Sequence, residues 1–476
     1  MQTPASDTDA QASPATPDGL PIPRRYWSMA TIWLAMAMSV LDGAIANVAL
    51  PTIARELNAS AASSIWIVNA YQLAITVTLL PLAALGDKLG YRRVYMAGLA
   101  VFTAGSLGCA LSHTLTELTA ARVLQGLGAG GIMSINAALV RFTYPKRLLG
   151  RGIGLNALVI SISAAIGPTV ASAILSVASW EWLFAINVPI GAVAIAIASR
   201  ALPRTVGSGK RMDFVAAGLN AVAFGFLILG AESVVREGLA IGLAKLAVGA
   251  VALVILIRRE FGRPAPLVPL DLLAIPIFGL SIATSVVSFA AQMLAYVSLP
   301  FYFQTVLGHS AVQTGFLMTP WPLAVGVAAP LAGRLADRFP AGLLGGIGLG
   351  LLAVGLAFLS NLHPGAPDWQ IVWRMALCGL GFGFFQSPNN RAMLSSAPLH
   401  RSGAAGGMLA TARLLGQTAG ALAVAVFFHL AGTHATTLAL MSAAGVAALA
   451  ACVSLLRLRI APSAPREEVG PVVAGS

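Results

Sequence analysis

Apolar segments of helical length recur along nearly the whole chain. Between Trp27 and Arg457, apolar runs of about 20 residues alternate with short polar segments. As a helix, such a run crosses a hydrocarbon core of about 30 Å. The pattern therefore predicts an all-α polytopic membrane protein with roughly fourteen crossings. The predicted crossings are residues 28–50, 63–85, 94–112, 117–139, 152–176, 183–202, 213–233, 239–257, 275–297, 312–333, 341–361, 370–392, 403–430 and 435–456.

Composition excludes a soluble domain and a nucleic-acid partner. Of 476 residues, 57% are hydrophobic and 10% are charged, whereas soluble domains carry about 25% charged residues. Most of the 29 lysines and arginines fall in alternate loops and on the side of the N-terminus. This positive-inside pattern accounts for the net charge of +12 without nucleic acid. It predicts that the lipid bilayer surrounds the protein and that both termini are cytoplasmic.

Nothing in the chain indicates a cofactor, a metal or an enzyme. Cys109, Cys378 and Cys452 each lie within an apolar run, and the six histidines show no ligand spacing. An embedded enzyme would need clustered nucleophiles or paired acids, which the pattern does not offer. A non-transporting sensor would suit a chain that lacks the ionisable residues described below.

An internal repeat divides the chain. Asp87 and Asp337 lie about 250 positions apart, as do Arg151 and Arg401. Arg122 matches Arg374 at a similar offset, and each is followed by a stripe of glycines. Parallel repeats of this kind place a substrate site between two halves that rock against each other. The predicted units are a disordered cytoplasmic arm, a six-helix bundle, two inserted helices, a second six-helix bundle and a disordered tail, at 1–26, 27–202, 203–271, 272–457 and 458–476.

Several motifs resemble those of the fourteen-helix drug:proton antiporter family of the major facilitator superfamily. In chain order they are Leu41-Asp42-Gly43-Ala44-Ile45-Ala46-Asn47-Val48-Ala49-Leu50-Pro51, Trp66 with Ala70-Tyr71-Gln72-Leu73, Arg122-Val123-Leu124-Gln125-Gly126, Gly167-Pro168, and Trp180-Glu181-Trp182-Leu183-Phe184 with Asn187-Val188-Pro189-Ile190-Gly191. The sequence departs from the family pattern at Ala83, Ala171 and Ala173, where glycine is usual, and at Glu181, where arginine is common.

The resemblance implies a multidrug efflux antiporter in the inner membrane. It assigns Ser163, Gly167 and Pro168 to an antiporter motif on the fifth helix. It also assigns a gate to the inner loops, which the residue pattern supports because both loop copies pair aspartate with basic residues. Positive-inside topology alone would explain the basic residues but not the aspartates. The gate set is Asp87, Lys88, Arg92, Arg93, Gly333, Asp337 and Arg338.

Asp42 is the candidate proton carrier. Among the 17 acidic residues it alone lies well inside a predicted crossing. Burial disfavours the charged form of a carboxyl group, and intramembrane acids mark functional sites. The alternative is a structural ion pair. Counting along the helices places Arg122 at the same depth, about 10–12 Å from the outer face, so a salt bridge is expected unless Arg122 extends to the interface.

Polar and aromatic side chains on the crossings are candidates for a substrate pocket. They are Asn47, Trp66, Tyr71, Gln72, Asn136, Asn156, Gln292, Tyr296, Phe385 and Arg413. Arg413 lies near the midplane, where it would either brace its helix or attract an anionic group.

Together these observations predict proton-coupled export of amphipathic or lipophilic small molecules by alternating access. Its partners are the small-molecule substrate and protons. A proton-coupled exporter or symporter of a specific metabolite is the alternative. A monomer is favoured, although the sequence does not fix the oligomeric state.

Overall fold

The computed structural model describes residues 19–145, 148–205, 207, 213–261, 270–363, 365–397 and 402–459. These residues form fourteen long helices, which are α1 (Arg24–Glu56), α2 (Trp66–Leu89), α3 (Tyr91–Ala110), α4 (Leu115–Thr143), α5 (Leu149–Leu175), α6 (Asn187–Ala201), α7 (Phe214–Arg236), α8 (Leu239–Glu260), α9 (Pro276–Phe301), α10 (Pro320–Leu335), α11 (Ala341–Ser360), α12 (Asp368–Ser396), α13 (Ser402–Ala431) and α14 (Ala435–Leu456). Four short helical segments extend α2, α6, α9 and α10, namely Ala61–Ser64, Trp182–Ala185, Tyr302–Val306 and Ala311–Met318.

Most of these helices are long and apolar enough to cross a membrane. Within the described ranges, twelve satisfy both conditions. Helix α5 is bent by 43° between Leu158–Ala164 and Ile166–Leu175, and α12 is more polar because it carries Arg374 and the run Asn389-Asn390-Arg391. The predicted all-α polytopic fold is confirmed.

The helices form two bundles with equivalent internal packing. In the N-terminal bundle, α1 packs on α5 and α6, while α4 packs on α2 and α3. In the C-terminal bundle, α9 packs on α13 and α14, while α12 packs on α10 and α11. Adding eight to each helix number of the first set gives the second. The sequence repeat is therefore also a repeat of helix contacts.

Glycine stripes on α4 and α12 allow the closest of these contacts. A Cβ atom built at Gly128 would lie 2.2 Å from the Phe102 backbone nitrogen on α3, and one at Gly379 would lie 2.0 Å from the Trp321 carbonyl oxygen on α10. Only glycine permits backbones to approach this closely. The stripes thus fix how the fourth helix of each bundle packs.

The two inserted helices lie at the edge of the bundles. Helix α8 packs chiefly on α7, and α7 packs on α2 and α13. The hairpin is closed by Arg259 to Asp213 at 3.2 Å and by Lys245 to Glu237 at 2.8 Å.

Helix α1 begins inside the predicted N-terminal arm. The Arg24 guanidinium donates to the carbonyl oxygens of Ala201 and Leu202 at 3.1 and 3.0 Å, which ties the start of α1 to the end of α6. The arm predicted at 1–26 therefore ends before Arg24, and its residues 1–18 lie outside the described ranges. We call the face where α1 begins and α14 ends the terminal side, and the opposite face the far side.

Contacts between the two bundles run from the middle of the helices to the far side. The hydroxyl oxygens of Thr76 and Thr418 are 3.5 Å apart near the middle. Nearer the far side, Gln304 donates to the Val48 carbonyl at 3.3 Å. The hydroxyl oxygens of Thr169 and Thr319 are 2.7 Å apart on the same side. Among the described residues, hydrogen bonds thus join the two bundles at the middle and on the far side.

Candidate functional site

Asp42 lies inside the N-terminal bundle at the centre of a polar cluster. Its side chain is 1% exposed, and its carboxylate forms an ion pair with the Arg122 guanidinium. The pair joins α1 to α4 across the bundle. The two residues that the sequence places at the same depth are therefore in contact in the structure.

Two further donors complete the coordination of the carboxylate. Gln125 Nε2 donates to Asp42 Oδ1 at 2.7 Å, and Asn187 Nδ2 donates to the same oxygen at 3.0 Å. Gln125 also accepts from Arg122 at 2.6 Å and donates to the Ser106 hydroxyl at 2.8 Å. Sequence reasoning did not assign these roles, although Gln125 stands three positions after Arg122 and so shares its helix face.

The ionised carboxylate matches this cluster better than the neutral acid would. An ionised group accepts from Arg122, Gln125 and Asn187 together, whereas a protonated one would leave at least one N–H group without an acceptor. Losing one member of such a buried pair costs about 3–5 kcal/mol. The state of Asp42 therefore affects how α1, α4 and α6 pack.

Arg122 does not extend to the membrane interface. Its side chain is fully buried, and its Nε donates to the Ile67 carbonyl of α2 at 2.9 Å. The guanidinium carbon lies 4.0 Å from the Tyr71 ring centre and 5.5 Å from that of Phe184. These rings stabilise a cation that has one nitrogen, Nη2, without a hydrogen-bond partner in the described residues.

The proposed antiporter motif packs beside this cluster. A Cβ atom at Gly167 of α5 would lie 2.4 Å from the Ala44 Cβ atom, two residues after Asp42 on α1. Pro168 has no N–H to donate to the Ala164 carbonyl, which accounts for the bend at this level of α5. Ser163 is buried nearby. The motif therefore sets the separation of α1 and α5 beside the Asp42 cluster.

The gate residues of the N-terminal bundle contact their own bundle or the inserted hairpin. The Tyr91 hydroxyl donates to Asp87, and the Arg92 guanidinium donates to the Ser199 carbonyl. Lys88 Nζ lies 5.1 Å from the Phe214 ring centre on α7. Arg93 is exposed. Each of these named contacts lies within the N-terminal bundle or joins it to the inserted hairpin.

The second gate copy uses an arginine that the sequence prediction omitted. Asp337 accepts from Arg391 Nη1 of α12 at 2.5 Å, and both side chains are more than half exposed. Gly333 offers its carbonyl to the same arginine at 3.5 Å, while Arg338 is exposed. Arg391 has a counterpart in Arg141 on α4 at the repeat offset of about 250. The repeat offset between Arg141 and Arg391 could have identified Arg391 as a gate residue from the sequence.

Four predicted pocket residues on the N-terminal bundle are buried amides with an oxygen that lacks a partner. Asn47, Gln72, Asn136 and Asn156 come from four different helices, and no described residue donates to their side-chain oxygens. Buried polar groups are usually satisfied, so such oxygens are suited to a ligand or water. These residues stay candidates for substrate contact.

Two predicted pocket residues instead belong to bundle interiors. Tyr71 donates to the Ser39 carbonyl at 2.8 Å and lies on Arg122, so it supports the Asp42 cluster. Phe385 is 1% exposed and packs on Phe382 within the C-terminal core. Both rings were candidates from residue type and position alone, and in the structure they face the interior of their own bundle.

The remaining pocket candidates are partly exposed. Trp66 begins α2 on the far side, and Gln292 lies on α9. Tyr296 packs edge to face on Trp321, with ring centres 5.1 Å apart. Arg413 on α13 is partly exposed, and its Nε has no hydrogen-bond partner in the described part of the chain.

A two-bundle fold with two inserted helices and a buried acid–arginine pair defines a multi-pass membrane transporter. The family model described as Major Facilitator Superfamily matches residues 32–421, and the chain belongs to that superfamily. Transporters of this family are not enzymes.

Three relatives extend the comparison. The chain is 55% identical over 444 residues to "Uncharacterized transporter YebQ" of Escherichia coli strain K12, covering 93% of this chain and 97% of that protein. It is 31% identical to "Riboflavin transporter RibZ" of Clostridioides difficile strain 630, covering 83% and 87%. It is 30% identical to "Multidrug resistance protein Stp" of Mycobacterium tuberculosis strain CDC 1551 / Oshkosh, covering 81% and 73%.

Proposed function

We propose that this protein exports amphipathic or lipophilic small molecules in exchange for protons. The observation that carries the proposal is the coordination of Asp42, an acid sealed from water and held by donors from two other helices. A proton bound there changes contacts in three helices at once. Resistance of the kind named in the Stp relative supports an efflux direction.

The coupling follows from the competition between a proton and Arg122 for the same carboxylate. In the observed state Arg122, Gln125 and Asn187 all donate to the ionised carboxylate of Asp42. Its oxygens therefore have hydrogen-bond partners without a bound proton. Protonation removes the attraction to Arg122 and frees α4 to move relative to α1. Because Asp42 is 1% exposed, proton entry requires that the bundle loosen, which links proton binding to a change of conformation.

The direction of access is the second part of the proposal. The terminal side is taken as cytoplasmic because the basic residues concentrate there. Contacts such as Gln304 to the Val48 carbonyl hold the bundles together on the far side, and we infer that access from the cytoplasm requires the bundles to separate on the terminal side. Substrate would enter from that side, and a proton arriving from outside would drive the return.

Compound-driven proton movement tests this function. Proteoliposomes containing a trapped pH-sensitive dye are given a pH gradient and then a panel of lipophilic monocations, neutral compounds and organic acids. We expect some compounds to accelerate loss of the gradient with wild-type protein and not with Asp42→Asn. Glu56→Gln, which alters an exposed acid of the same helix, is the matched control. Equal proton movement in wild type and Asp42→Asn contradicts the proposal.

A transporter of one metabolite is the second candidate. The 31% identity to a protein named as a riboflavin transporter favours it. The same panel separates the two functions, because a multidrug exporter responds to several unrelated compounds and a metabolite transporter to one. A symporter would further show substrate and protons moving in the same direction.

A further inference from the structure

Helix α13 directs Arg413 toward the junction of the two bundles. Leu414 packs in the core of the N-terminal bundle, and Thr418 faces Thr76 of α2. Gly416 lies against the Val286 carbonyl of α9, where a Cβ atom would be 2.4 Å away. Positions on a helix turn by about 100° per residue, so Arg413 lies about 100° from Leu414 and about 60° from Gly416. The side of α13 that carries Arg413 therefore points between α2 and α9.

This face differs from the surface that α13 turns outward. Ala419 and Leu430 are exposed on α13, and Ala419 lies about 120° from Arg413 around the helix. Gln417, about 40° away and one turn further along, shares the Arg413 face and is partly buried. The guanidinium and this amide therefore line the region between the bundles, not the lipid.

Among the described residues, Arg413 forms no ion pair with an acidic side chain. Between Asp271 and Glu467 the acidic residues are Asp337 and Asp368. Asp337 is bound to Arg391 on the terminal side, and Asp368 begins α12 on the far side. Asp42, the deep acid of the other bundle, is already engaged by Arg122.

The described residues also provide no neutral partner that would brace this arginine. Its Nε is enclosed and makes no hydrogen bond to any of them. Arg122 and Arg457, the two buried arginines of the described residues, show the contrast, whereas Arg374 resembles Arg413 in having enclosed nitrogens without a partner. Arg457 donates to Ser281, Asn389 and Ser454 at 2.6–2.9 Å, and Arg122 has a carboxylate and two acceptor oxygens.

We propose that Arg413 binds an anionic group, such as a carboxylate, on the transported molecule. The inference rests on the proposed function in taking the junction of the bundles as the substrate site. A guanidinium forms its strongest hydrogen bonds with a carboxylate, which can accept from two of its nitrogens. The surrounding apolar helices would hold the rest of an amphipathic molecule. The preferred substrate class is therefore an organic monoanion with an apolar body.

Equilibrium binding of matched probes tests the proposal. Purified protein in detergent is titrated with 1-naphthoate, 1-naphthamide and 1-naphthylmethylammonium, which share an apolar ring and differ in charge. We expect wild type to bind naphthoate about tenfold more tightly than naphthamide. Arg413→Gln should bind acid and amide equally, with the amide affinity unchanged, and Arg413→Lys should retain most of the acid preference. Arg55→Gln, an exposed arginine of α1, should match wild type.

The outcomes are distinct. If wild type shows no preference for naphthoate, or if Arg413→Gln retains that preference, the proposal is overturned. A lower melting temperature for Arg413→Gln with unchanged selectivity would assign Arg413 a bracing role instead. The wild-type comparison stands even if Arg413→Gln fails to fold. The titration needs no proton gradient, so failure of coupling through Asp42 would leave its result unaffected.

Discussion

Arg122→Gln and Asp42→Asn should both lower the free energy of unfolding. The size of the loss should depend on pH differently in the two variants. In Arg122→Gln, the carboxylate stays buried without its cation. While the group is charged, the free energy of unfolding should fall by about 3–5 kcal/mol, as is typical of a broken buried pair. Lower pH favours the neutral form, which removes the buried charge, and the loss should then fall toward about 1–3 kcal/mol, the cost of unsatisfied hydrogen bonds.

Asp42→Asn should behave differently because arginine does not lose its proton in the accessible range. The Arg122 guanidinium then stays buried without a carboxylate at every pH. Its destabilisation relative to wild type should be large wherever the wild-type carboxylate is ionised. The double variant should be less destabilised than the sum of the single ones, with a coupling of about 0.5–3 kcal/mol.

Thermal unfolding of the purified protein in detergent, from about pH 5 to pH 8, measures these differences. Each variant is compared with wild type at the same pH, so general effects of pH cancel. Glu56→Gln serves as the control for removing an acid from α1. If the two variants show the same pH dependence, or if the double variant is additive, the pair does not act as the structure indicates.

Three further predictions concern packing and the gate. Gly128→Ala should destabilise the protein by about 1–3 kcal/mol in thermal unfolding, because its Cβ atom would lie 2.2 Å from backbone on α3; Gly218→Ala, with nothing within 4 Å, should be nearly neutral. Gly315→Ala places a Cβ atom 1.6 Å from the Ser172 hydroxyl of the other bundle, so spin-label distances across the far side should lengthen. Unchanged distances would contradict its place in the closure. Asp337→Asn breaks an exposed pair and should cost less than about 1 kcal/mol, yet it should slow flux in proteoliposomes if the pair belongs to a gate; unchanged flux would remove that role.

Sequence periodicity predicted the crossings and the depth of ionisable residues well. Asp42 and Arg122 were matched because depth depends only on counting along a helix at a fixed rise per residue. The glycine stripe at Gly128 was visible for the same reason, since spacing on a helix is fixed. The ends were less predictable, and α1 extends to Arg24 because that side chain binds carbonyl groups distant in sequence.

Rotation of helices about their axes was not predictable from the sequence. Tyr71 and Phe385 are aromatic residues of the kind that line pockets. The direction of each side chain depends on which neighbouring helix its side of the helix packs against. Asn187 reaches Asp42 from another helix, and that contact requires the relative rotation of α1 and α6. Arg413 could be placed in the membrane from its position, but its lack of a partner emerged only from the packed structure.

Infrared difference spectroscopy between neutral and acidic pH tests most directly whether Asp42 carries the proton. With the membrane-reconstituted protein, the account predicts a carbonyl band of a neutral carboxylic acid that grows on acidification, is absent in Asp42→Asn and persists in Glu56→Gln. A wild-type spectrum without such a band, or the same band in Asp42→Asn, would contradict the account.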